Sequence, residues 1–181
     1  MTQYLALLRG INVGGRNLIR MADLRACLEA NGFEDVATYI QSGNVLFAAT
    51  GTPVADLTVR LEELLSRTFS YQASVVVRSL QQMRATVDRA PRGFGTDPDA
   101  YRYDVIFLKE PLRAKTAIAK VAVAPGVDEA DAGPGALYFS RLVSRASQSR
   151  LSKIVGSPIY PSITIRNWNT TIRLLRMLED R

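Results

Sequence analysis

Apolar residues recur along this chain in two rhythms, runs that suit buried strands and three-to-four-residue repeats that suit amphipathic helices. Residues 3–9 (Gln-Tyr-Leu-Ala-Leu-Leu-Arg) form a short apolar run stopped by Gly10-Ile-Asn-Val-Gly-Gly15, the pattern of a buried strand ended by a turn. Leu18, Met21, Leu24 and Leu28 then return every three to four residues, and Asn31-Gly32 supplies the left-handed stop of a helix. Residues 36–40 and 45–48 are extended runs around Gln41-Ser-Gly-Asn44, which predicts an antiparallel hairpin. Thr52-Pro53 offers an N-cap with Pro at the first helical position; Leu57, Leu61, Leu64 and Leu65 give a second helical stripe, and Val75-Val-Val77 closes the unit. Strand, helix, strand, strand, helix, strand over residues 3–78 is the ferredoxin-like order, one antiparallel sheet with two helices on one face.

The order then begins again. Ser79 and Gln82 form a capping-box signature for a helix ending near Pro91, and the loop-rich Arg92-Gly-Phe-Gly-Thr-Asp-Pro98 marks the lobe boundary. Residues 103–108 read as a strand, 112–123 as a helix, and 127–132 with 137–140 as a strand pair around Gly133-Pro-Gly135. Residues 147–155 are helix-compatible and 162–166 extended, and Ile172, Leu175 and Leu178 mark a closing helix capped at Asn167 or Asn169. The expectation is an α+β protein of two lobes. Residues 1–78 form the ferredoxin-like lobe, 79–101 a helix and linker, and 102–181 a degenerate α/β echo with basic C-terminal helices, with no sequence repeat behind the echo.

Composition narrows the chemistry. The 181 residues include 23 Lys and Arg, 17 Asp and Glu, one Cys and no His, for a net charge of +6. Without His there is no Ser-His or Cys-His nucleophile pair and no imidazole metal ligand, and one Cys forms neither an intrachain disulfide nor a Cys-rich zinc site. No cofactor or metal is expected. The first nine residues carry no basic leader, and their apolar run is far shorter than the ~20 residues of a membrane span, so a cytoplasmic protein with no membrane partner is expected. Residues 1–140 balance 15 basic against 15 acidic side chains, whereas residues 141–181 hold 8 and 2. The net charge therefore sits in the tail, either as a solvated helix face or as an attraction for phosphate-bearing partners.

Two stretches invite an anion. In Arg9-Gly-Ile-Asn-Val-Gly-Gly-Arg-Asn17, glycines let backbone N–H groups approach an anion and two arginines flank them. Gly10 and Gly15 have Walker spacing, but Arg16 and Asn17 replace the required Lys and Ser or Thr, and the dinucleotide pattern fails as well. A strand-to-helix turn that simply needs glycine is the competing reading. In Thr164-Ile-Arg-Asn-Trp-Asn-Thr-Thr171, Arg166 can pair an anion, Asn167 and Asn169 can bond a base or amide, and Trp168 offers a stacking face at a helix N-terminus. Capping by an Asn and core packing of Trp168 compete with that reading. Gln41, Ser42 and Asn44 read as turn chemistry. Ser149 and Lys153 miss the Ser-x-x-Lys spacing, Cys27 reads as a packed thiol, and Asp128, Glu129 and Asp131 read as a solvated loop with no assigned role.

Tyr4-Leu-Ala-Leu-Leu-Arg-Gly-Ile-Asn-Val-Gly-Gly15, Tyr39-Ile-Gln-Ser-Gly-Asn-Val45 and Thr164-Ile-Arg-Asn-Trp-Asn-Thr170 together resemble one bacterial family, domain of unknown function 1697. The resemblance spans residues 4–170 and implies a ferredoxin-like first half, a related α/β second half and an unassigned activity. It also implies that Arg9, Asn12, Gly14, Gly15, Gln41, Ser42, Asn44, Arg166, Asn167, Trp168 and Asn169 belong to the family's shared patterns. Arg16 departs from the family's usual Lys, which keeps a charge there but removes a titratable amine.

The favoured reading is that the first loop, the hairpin turn and the Arg166 segment converge on one site for a phosphate-bearing small molecule or a nucleic-acid strand. Its weak point is the scarcity of aromatics on the first lobe's central strands, Tyr4 and Phe47 alone. An enzyme polarising an anionic substrate with Arg and Asn, or a non-catalytic module whose basic helix meets an acidic protein, stand as alternatives. The sequence sets no oligomeric state and nominates no catalytic residue.

Overall fold

A computed structural model describes all residues 1–181. Eight strands form two four-stranded antiparallel sheets. The first sheet, in order β2-β3-β1-β4, contains β1 (Thr2–Leu8), β2 (Glu34–Tyr39), β3 (Asn44–Ala49) and β4 (Val75–Ser79). Its helices are α1 (Met21–Ala30) and α2 (Val54–Phe69), and β4 runs directly into α3 (Leu80–Asp88). The second sheet, in order β6-β7-β5-β8, contains β5 (Tyr101–Leu108), β6 (Asp128–Gly133), β7 (Ala136–Leu142) and β8 (Ile163–Asn167), with α4 (Ala114–Ile118) after β5 and α5 (Trp168–Glu179) after β8. Both sheets carry the same strand order, so the chain repeats one topology in two α/β lobes without repeating its sequence.

The compact units are residues 1–83 with 174–181, and residues 84–173. In the first, Tyr4, Ala6 and Leu8 of β1 alternate toward Leu24 and Leu28 of α1 and the Leu57, Leu61 and Leu65 stripe of α2, all buried. Each such leucine contributes about 1.5–3 kcal/mol on leaving water. The opposite face, with Leu5, Leu7 and Leu46, is buried as well, which is why β1 reads as an unbroken apolar run rather than an alternation. In the second unit Ile106, Leu108, Leu137 and Phe139 pack with Ala117, Leu151 and Ile154.

Several local expectations give way to side chains that compete for backbone groups. Helix α1 starts only at Met21, leaving Leu18 outside it and 75% exposed. Pro53 itself occupies the N-cap position of α2, and the Thr52 hydroxyl donates to the Thr50 carbonyl instead of capping. The helix expected over 112–123 shrinks to the five residues of α4: the chain tightens through bonds from Lys120 N–H to Ala117 O and from Val121 N–H to Ile118 O, then extends toward Pro125. Residues 147–155 are not an α-helix but fall in 3₁₀ turns, Val143–Gln148 and Leu151–Gly156. There the Asp128 carboxylate takes the Arg150 N–H at 2.8 Å and the Ser149 hydroxyl oxygen takes the Leu151 N–H at 3.3 Å, removing donors from the helical ladder.

The capping box forms as expected: Ser79 N–H donates to Gln82 Oε1 at 2.9 Å and Gln82 N–H to Ser79 Oγ at 3.2 Å.

Candidate functional site

The β1–α1 loop is built around Asn12. Its Nδ2 donates to the Ile19 carbonyl at 3.0 Å and to the Gln41 carbonyl at 2.9 Å, while its Oδ1 accepts the Ile19 N–H at 2.8 Å. One side chain thus ties the loop closed and joins it to the β2–β3 turn. Val13 and Arg16 bridge across Gly14 and Gly15, whose φ angles of 58° and 73° satisfy a tight turn that needs two left-handed residues. Asn17 Nδ2 donates to Gly10 O at 2.8 Å. In the hairpin, Gln41 contributes through its backbone, and Asn44, fully buried, donates from Nδ2 to Tyr39 O and to Ser42 Oγ, both at 3.0 Å. Arg9 is half-buried, whereas Arg16 is exposed. The loop and hairpin residues are therefore brought together in the first unit, with most of their polar side chains holding turn geometry.

The second group lies in the other unit, where β8 meets α5. Arg166 is buried, its Nη1 donating to Thr164 Oγ1 at 2.8 Å and to the Ile165 carbonyl at 2.9 Å, and burial lowers its pKa from the ordinary guanidinium range to about 10. Asn167 caps α5, its Oδ1 accepting the Thr170 N–H at 2.8 Å. Trp168, the only Trp in the chain, stands edge-on to Phe94 at 5.1 Å and 86°. Gly95 lets it sit there: a Cβ at this residue, whose φ is 83°, would fall 2.2 Å from Trp168 Nε1.

Two cavities open on this cluster. One, of about 280 Å³, is lined by Tyr101, Arg102, Tyr103, Asn167, Trp168 and Asn169. The other, of about 240 Å³, is lined by Arg92, Phe94 and Tyr138 along with Glu129, Asp131 and Ser140. Tyr101 and Tyr103 line both, so the two cavities adjoin at these side chains. Phe94 anchors the aromatic wall, with its ring 4.9 Å from Tyr103 and 5.4 Å from Tyr138. Tyr138 is fixed by a 2.5 Å bond from its hydroxyl to the Thr86 carbonyl, and burial pushes its pKa up to about 12. Asp104 lies between Tyr103 and Val105 but opposes Phe139 on the core face; burial raises its carboxyl above the usual range, partly offset by Arg141 at 3.9 Å.

Charge separates the units. The first balances 9 basic with 9 acidic residues, and the second holds 14 and 8, the whole excess of the chain. Of the basic residues after residue 140, Arg166 lies buried on β8, and Arg181, in the balanced first unit, pairs with Asp35 at 2.6 Å.

Residues 1–138 match the family described as "Protein of unknown function (DUF1697)". The chain belongs to this family. A solved relative, the conserved bacterial protein SP0830 from Streptococcus pneumoniae, is 31% identical, aligns over 98% of both chains and superposes with a TM-score of 0.87. No curated protein matches the sequence. In this DUF1697 member the family match takes in the Asn12 loop, the hairpin and the Phe94–Tyr103 segment, and stops before β8.

Sequence reasoning did not single out Phe94, Tyr101, Arg102 or Tyr103. A signal was present. Arg92-Gly-Phe-Gly95 repeats the first four positions of an RNA-recognition pattern, on a loop here rather than a strand, and Tyr101-Arg-Tyr103 alternates aromatic and basic side chains along β5. No helix is long and apolar enough to cross a membrane.

Proposed function

We propose that the second unit binds a phosphate-bearing nucleotide, free or as part of a single strand, in the aromatic groove shared by its two cavities. The observation that carries this reading is the pair Tyr101 and Tyr103, which line both cavities beside Trp168 and Arg102. Aromatic faces accept any base by stacking, worth about 1–3 kcal/mol each. The phosphate meets Arg102 and the first turn of α5, where the positive end of the helix dipole favours an anion. The charge excess of the second unit raises the rate of anion encounter.

The test is fluorescence anisotropy of a labelled single-stranded oligonucleotide at two salt concentrations, with wild type and Tyr103→Ala. Binding should weaken steeply with salt through counterion release, and Tyr103→Ala should lower affinity roughly 5- to 150-fold. Absence of binding at low salt, or an unchanged affinity in Tyr103→Ala, refutes the reading.

A further inference from the structure

The groove contains two carboxylates that a phosphate site does not need. Strand β6 pairs Glu129 with Ser140 and Asp131 with Tyr138, which puts both acidic residues on the sheet face that carries Tyr101 and Tyr103. Both line the 240 Å³ cavity, both are exposed, and neither has an ion-pair partner. Residues two apart on a strand lie about 7 Å from each other on one face. Glu129 and Asp131 therefore add two acceptor-only groups to a cavity that also holds the Arg92 guanidinium and the Ser140 hydroxyl, in a unit whose net charge is otherwise strongly positive.

An ionised carboxylate accepts hydrogen bonds and donates none. It repels phosphate and carbonyl oxygens and attracts N–H groups, so these residues suit the base rather than the phosphate of a nucleotide. Base edges differ in what they offer. Guanine presents two adjacent donors, N1–H and N2–H₂, which match the two oxygens of one carboxylate. Cytosine and adenine each present a single exocyclic amino group, and uracil presents one N–H between two carbonyl oxygens that a carboxylate repels. Resting on the nucleotide reading of the groove, we infer that Glu129 and Asp131 determine base specificity and favour guanine, with uracil the poorest ligand.

The experiment is calorimetric titration of GMP, AMP, CMP and UMP into the full chain, wild type and the Glu129→Gln, Asp131→Asn double variant. Both positions are exposed, so the double variant should fold, which thermal unfolding checks. Wild type should bind GMP roughly tenfold more tightly than UMP. In the double variant UMP should bind more tightly than to wild type, because two negative charges have gone, while the GMP-to-UMP ratio falls toward one. Asp131→Glu should retain the preference for GMP. Equal affinities for the four nucleotides in wild type, or a GMP preference that survives in the double variant, overturn the specificity and leave the groove reading standing. Failure of all four nucleotides to bind overturns the specificity, and overturns the groove reading as well when the labelled oligonucleotide also fails to bind at low salt.

Discussion

The two units share a strand order and also a corner. In the first, Arg78 of β4 is buried, its Nη1 donates to the preceding Val77 carbonyl at 2.9 Å, and the chain turns through Ser79 directly into α3. In the second, Arg166 of β8 is buried, its Nη1 donates to the preceding Ile165 carbonyl at 2.9 Å, and the chain turns through Asn167 into α5. What differs is where the aromatic residues go. Tyr4 and Phe47 of the first sheet stack at 5.6 Å inside the helix-side core, with Phe33 edge-on to Phe47 at 5.1 Å. Tyr101 and Tyr103 of the second sheet turn to the opposite face, where Phe94 and Trp168 leave a groove open. The same strand order thus buries the first sheet's paired aromatics in the core and sets Tyr101 and Tyr103 of the second beside open cavities.

Exchanging the two kinds of aromatic residue is the hardest test of that contrast. Phe47→Ala should cost about 3–5 kcal/mol in urea unfolding, by losing buried area and leaving a cavity. Its effect on oligonucleotide affinity, measured under conditions where the variant is folded, should be negligible. Tyr103→Ala should show the reverse balance, a smaller stability loss with a large affinity loss. Next in size is Asn12→Ala in the first unit. Its side chain makes three hydrogen bonds that hold the loop to the hairpin, so the substitution should cost about 2 kcal/mol in thermal or urea unfolding without changing ligand affinity.

Each unit also holds one tyrosine whose pKa is raised to about 12, chiefly by burial, and the two hydroxyls differ. Tyr138 donates to Thr86, whereas the buried Tyr71 hydroxyl has no hydrogen-bond partner. Tyr138→Phe should therefore cost about 1 kcal/mol at neutral pH, and Tyr71→Phe should be neutral or stabilising. Both tyrosines stay protonated in the fold after the unfolded chain begins to ionise near pH 10. Their contribution is complete below that pH and is lost as pH rises through about 12, and each Phe variant should flatten this limb of a stability–pH curve. The smallest effect is expected at Arg16, exposed at the loop tip, where Arg16→Ala should change stability by no more than about 0.5 kcal/mol.

The strand order of both lobes and the helices α1 and α2 of the first were legible because periodicity and glycine stops are local signals. Leu57, Leu61, Leu64 and Leu65 predict α2, and the same four are buried. The second lobe misled where a distant acceptor decided the backbone. Asp128 captures the Arg150 N–H across 22 residues, and no local propensity for helix over 147–155 anticipates that. At the site, Asn167 and Trp168 stood out because they crowd one short segment. Phe94 and Tyr103 did not, since they meet Trp168 only through strand pairing and the Phe94 loop. Glu129 and Asp131 sit beside a Gly-Pro-Gly turn and read as a solvated loop, until strand pairing puts both on the groove face.

The most direct test of the central claim is amide hydrogen exchange with and without a single-stranded oligonucleotide. The account predicts added protection in residues 92–103, 129–131 and 166–170, with residues 9–17 and 40–44 unchanged. Protection confined to residues 9–17 and 40–44 would contradict it, and would move ligand recognition to the glycine-rich loop of the first unit.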